Sequence, residues 1–64
     1  MIIQIEDTAG EIYHINPANI VYVKQTSHNH GLWKIVLVTD ERIITREKSQ
    51  IYSIIEFLKD EKVT

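Results

Sequence analysis

Short stretches of alternating or β-branched apolar residues occupy most of the first 45 positions and predict five strands. The predicted strands cover residues 2–6, 11–15, 20–24, 32–39 and 42–45. Turn-forming residues separate them at positions 7–10 and 16–19, a polar loop spans 25–31, and Asp40 and Glu41 are predicted to form a two-residue turn. The second strand should pair back on the first as a hairpin.

The hydrophobic period changes after residue 45. Ile51, Ile54, Ile55 and Leu58 follow the i, i+3, i+4, i+7 spacing of one helical stripe, with Ser49 or a neighbour as the N-cap. The chain therefore predicts a single α+β domain over residues 1–64 that is mostly β. Its five short antiparallel strands form a meander or a small barrel-like sheet, and the C-terminal amphipathic helix packs on that sheet.

The period of two assigns the strand residues to two faces. One face is apolar and should receive the helix: Ile3, Ile5, Tyr13, Ile15, Ile20, Trp33, Ile35, Leu37 and Ile43. The other is mixed, since Gln4, Glu6, His14, Lys34 and Arg42 alternate with Ile2, Ile12, Val36, Val38 and Ile44. An ordinary solvated face is more polar. Either the sheet curls into a barrel that covers both sets, or another chain covers the second face, which we favour.

Length and composition limit the function classes. A 64-residue chain has one modest core and often needs a partner, a metal or disulfides, and the absence of cysteine removes the disulfides. A net charge of -2 does not favour nucleic acid or acidic membranes, and no apolar run reaches the length of a membrane span. Residues 1–5 lack the features of a signal peptide, so we expect a mature cytoplasmic protein.

One stretch resembles a known family. Residues 10–17 read Gly-Glu-Ile-Tyr-His-Ile-Asn-Pro, and Ile20, Val23, Ile35, Leu37 and Ile43 precede the Glu-Lys-Ser entry to the apolar helix. Over most of its length the chain is similar to the small bacterial flagellar and swarming-motility proteins of the FlbD/SwrD type. The resemblance implies a small accessory protein without catalytic residues, from a bacterial or phage source.

Candidate chemistry is sparse. His28 and His30 lie two apart in the polar loop and are weak candidate metal ligands, since a firm site needs a third. Adjacent carboxylates point apart, and no serine has a recognisable base and oxyanion hole. We therefore predict no enzyme activity, no cofactor, no catalytic residue and no committed metal site.

Three functions stay open. The leading prediction is a non-catalytic interaction or regulatory module that binds protein and self-associates as a homo-oligomer. The first alternative is a nucleic-acid-binding regulator, in which Lys24, Lys34 and Arg42 combine with aromatic residues on one face. The second is a small-ligand- or metal-responsive module that uses the histidine loop. The candidate partner-binding residues are Trp33, Lys34, Val36, Val38, Arg42 and Ile44.

Overall fold

The computed structural model describes residues 2–26, 31–46 and 48–63, with side chains as far as Asp60. Five strands and one helix follow one another: β1 (Ile3–Glu6), β2 (Ile12–Ile15), β3 (Ile20–Gln25), β4 (Trp33–Leu37), β5 (Arg42–Thr45) and α1 (Lys48–Val63). A single 3₁₀ turn at Pro17–Asn19 connects β2 to β3. The predicted α+β class, with antiparallel strands and a C-terminal helix, is confirmed.

The strands form two antiparallel sheets that meet at one point. β1 pairs with β2, and β4 lies between β3 and β5. A single bridge pairs Asp7 with Thr45 and so joins β1 to β5. The Thr45 hydroxyl strengthens this junction by donating a 2.8 Å hydrogen bond to the carbonyl oxygen of Glu6. Across this bridge the two sheets form one continuous layer with the strand order β2-β1-β5-β4-β3.

The hydrophobic core lies between this layer of strands and the helix. Ile5, Ile15, Ile20, Ile35 and Ile43 from the strands pack with Ile51 and Ile54 from α1. Every residue of the predicted apolar face belongs to this core or packs against it, and so does the whole predicted helical stripe. Isoleucine suits both roles, because its branched side chain favours strands and fills the gap between sheet and helix.

The two tight hairpin turns share one geometry, although only the first carries glycine. In each, the N–H of the first residue donates to the carbonyl four positions later: Asp7 to Glu11, and Leu37 to Glu41. The fourth residue is left-handed, with φ of 87° at Gly10 and 71° at Asp40. This is a turn followed by a left-handed bulge residue. The predicted two-residue turn at Asp40 and Glu41 is therefore wrong, and β4 ends at Leu37 rather than at residue 39.

The left-handed conformation of Asp40 yields a prediction. A side chain with a Cβ is strained there, whereas glycine is not. Asp40→Gly should therefore raise the free energy of unfolding by about 0.5 kcal/mol, measured by urea denaturation. The matched change Gly10→Ala should lower it by about 1 kcal/mol through backbone strain alone, since a Cβ there meets nothing within 4 Å. Because one change introduces glycine and the other removes it, the two changes in the free energy of unfolding should have opposite signs. Changes of the same sign would contradict the shared geometry.

The helix begins one residue earlier than its predicted cap. α1 starts at Lys48, whose N–H donates to the carbonyl oxygen of Arg46. Ser49 therefore lies in the first turn and is not the N-cap. Its own carbonyl accepts a hydrogen bond from the Ser53 hydroxyl one turn later.

Candidate interaction surface

The outer surface of the three-stranded sheet, on the side away from the helix, forms a regular grid. Cross-strand register gives one row of Tyr22, Val36 and Arg42 and a second row of Lys24, Lys34 and Ile44. Directly paired residues point to the same side of a sheet, so all six side chains share this surface, which we call the outer face. Four predicted partner-binding residues, Lys34, Val36, Arg42 and Ile44, belong to it.

Burial on the outer face differs from expectation at one position. Val36 is only 6% exposed in the isolated chain. It sits in the central strand between Tyr22 and Arg42, and long side chains commonly lay their apolar stems over such a neighbour. Val36 is therefore covered within the chain itself, and its role in partner binding stays a prediction. Tyr22, Lys24 and Arg42 remain exposed, whereas Lys34 and Ile44 are half-buried.

The two other predicted partner-binding residues lie off the outer face. Trp33 packs against the core, and its ring meets that of Tyr52 edge-to-face with centroids 6.3 Å apart. The indole Nε1 is buried and has no hydrogen-bond partner among the residues that the structure describes. Val38 is 60% exposed in the turn after β4, where its N–H donates to the Asn19 carbonyl oxygen.

A second surface, which the sequence did not predict, runs along β3 beside the helix. The register shifts between Ile20 and Tyr22, so Val21 has no opposite residue on β4. Val21 is 54% exposed and Tyr22 is 44% exposed. A groove of about 210 Å³ runs from this strand to the helix, and we call it the β3 groove; its lining is Val21, Tyr22, Val23, Ile55, Leu58 and Lys59. Bulges interrupt alternation without a fixed sequence signal, which is why the pattern missed it.

Polar groups near the first hairpin serve its turn. Asp7 Oδ1 accepts hydrogen bonds of 2.9 Å from the N–H groups of Ala9 and Glu11. The phenol of Tyr13 lies 3.4 Å from Glu11 Oε2. Partial burial, followed by the neighbouring carboxylates of Asp7 and Glu11, raises the pKa of Tyr13 above its ordinary value. A phenol with a raised pKa stays protonated at neutral pH, so this arrangement does not activate a nucleophile.

Neither a cluster of metal-ligating side chains nor a membrane-spanning helix is found in the described ranges. No group of three His, Cys, Asp or Glu side chains within residues 2–26, 31–46 and 48–60 is placed to hold a metal ion. His14 is exposed on β2 opposite Gln4. The candidate ligands His28 and His30 lie outside the described residues. In the same part of the chain, no helix has both the length and the hydrophobicity needed to cross a membrane.

Comparisons of the chain with protein-family models, curated protein sequences and solved structures found no significant match. The resemblance to the flagellar and swarming-motility proteins therefore stays a prediction.

Proposed function

We propose that this chain is a non-catalytic interaction module that binds protein, and in the first place a second copy of itself, through β3. The observation that carries the proposal is that β3 pairs only with β4 among the strands that the structure describes, and lies beside an exposed apolar groove. We also propose a cytoplasmic location, which the cysteine-free composition supports.

The backbone of β3 offers hydrogen-bonding groups on its outer edge at Val23. The N–H of Thr26 donates to the Leu32 carbonyl oxygen and therefore points towards β4. Backbone groups alternate in direction along a strand, and the register is regular from Tyr22 to Gln25. The N–H and carbonyl of Val23 are thus directed away from β4, where an added strand would pair with them.

Side chains next to this edge add an apolar contact. Val21 and Tyr22 expose about half of their surface, and Ile55 and Leu58 continue the same groove on the helix. Strand addition uses both parts: backbone hydrogen bonds provide affinity, and side-chain pockets beside the edge provide specificity.

A second copy is the partner that the chain's own properties favour. A domain of this size has a small core and gains stability from association. Two identical β3 edges can pair antiparallel about a two-fold axis, so that each groove receives the same residues from the other copy. Natural edge strands often carry charges that block such pairing, but the only charged residue of β3 is Lys24, which points to the outer face.

The substitution Val21→Lys tests this proposal. A lysine at this position places a charge next to Lys59 in the groove and blocks strand addition. Sedimentation velocity of the full chain over a concentration series should show a dimer for the natural sequence and a monomer for the variant.

The matched control is Val38→Lys. Val38 is aliphatic and similarly exposed, at 60% against 54% for Val21, but lies in the β4–β5 turn, so this variant should remain dimeric. A natural chain that stays monomeric throughout the series contradicts the proposal. So does an equal loss of the dimer in both variants, provided that circular dichroism shows both to be folded.

A further inference from the structure

The charged residues of the three-stranded sheet are all positive. β3, β4 and β5 together contain Lys24, Lys34 and Arg42 but no aspartate or glutamate. All nine acidic residues of the chain lie elsewhere, in β1, in the turns, before the helix and in the helix. The net charge of -2 therefore does not describe the outer face, which is basic.

The arrangement of these cations is specific. Lys24 and Lys34 are directly opposite each other on β3 and β4, and Arg42 lies on β5 in the neighbouring row. Like charges placed directly opposite across strands destabilise a sheet. An anion bound between the two ammonium groups would relieve that repulsion, which favours a polyanionic ligand.

The outer face also carries an exposed aromatic ring. Tyr22 lies at one corner of the grid, and the half-buried Ile44 lies opposite Lys34 at another. Proteins that bind single strands without sequence readout combine these elements, because cations follow the phosphates and an exposed ring stacks on a base. An acidic peptide would use the cations and leave the ring without a role.

We infer that the outer face binds single-stranded nucleic acid, with Lys24, Lys34 and Arg42 at phosphates and Tyr22 stacked on a base. This inference does not rest on self-association, since one copy contains the whole grid.

The test is a fluorescence anisotropy titration of a labelled oligothymidylate with the full chain at several salt concentrations. The natural chain should bind, and its affinity should fall with salt by about 0.7 logarithmic units per tenfold salt for each phosphate contacted. Lys34→Gln should weaken binding several-fold at low salt and make this slope shallower by about 0.7. Arg42→Gln, at an exposed position, is the second test variant and should behave alike.

The matched control is Lys48→Gln, which removes the same charge from the exposed start of the helix. It should leave both affinity and slope close to those of the natural chain. Absence of salt-dependent binding by the natural chain overturns the inference. It is also overturned if Lys48→Gln weakens binding as much as Lys34→Gln, or if polyglutamate displaces the oligonucleotide as well as unlabelled oligothymidylate does.

Discussion

Replacing Ile51 with alanine is expected to lower the free energy of unfolding by about 3 kcal/mol. Ile51 is fully buried at the start of α1 and belongs to the cluster that joins the helix to β4 and β5. The change removes three heavy atoms from a packed site and leaves a cavity that the short strands cannot close. A domain of this length is stabilised by only about 3–10 kcal/mol in total. The variant should therefore be largely unfolded at moderate temperature.

Urea denaturation followed by circular dichroism measures this loss, at one fixed protein concentration because association would shift the midpoint. Ser53→Ala is the control on the same helix. Ser53 is exposed, so its replacement should change stability by less than about 0.5 kcal/mol. A loss at Ile51 as small as that at Ser53 would show that the helix does not hold the core together.

Replacing Thr45 with valine is expected to cost about 2 kcal/mol. The shape of the side chain is nearly kept, but the hydroxyl that donates to the Glu6 carbonyl oxygen is lost. Thr45 is 0% exposed, so water cannot replace the donor. This bond and the Asp7–Thr45 bridge join the two sheets. The thermal midpoint of the variant, compared with that of the natural chain, measures the loss.

Thr39→Val is the matched control for Thr45. The Thr39 hydroxyl donates to Glu41 Oε1 at 3.1 Å, but at an exposed position, where water replaces the bond at little cost. We expect a change of less than about 0.5 kcal/mol there. Equal effects of the two substitutions would mean that the junction between the sheets contributes no more than a surface turn does.

Periodicity predicted the parts of the fold that depend on burial. The nine residues of the apolar face and the four of the helical stripe all reach the core, because both periods follow directly from backbone geometry. Periodicity did not predict the burial of Thr45, because a threonine at the end of a strand does not indicate full burial. Its role depends on Glu6, which is 39 positions away in the sequence.

The surfaces were harder to predict, for reasons that differ between residues. Val36 alternates with polar residues in the sequence, which did not indicate that it would be 6% exposed in the isolated chain. Asp40 takes a backbone conformation that glycine usually supplies, so the second turn lacked its usual signal. Val21 lies at a bulge in β3, and the alternating pattern did not predict that bulge. The sequence already grouped Lys24, Lys34 and Arg42 on one face, and the register adds that Lys24 lies directly opposite Lys34.

Amide hydrogen exchange of the natural chain, resolved by residue and repeated over a range of protein concentrations, tests self-association through β3 most directly. The N–H of Val23 points away from β4, and pairing with a second copy would protect it from solvent. We predict that its exchange slows as concentration rises, whereas exchange at Ile35 in the central strand β4 changes far less. Exchange of Val23 that is fast and independent of concentration would contradict the proposed dimer edge.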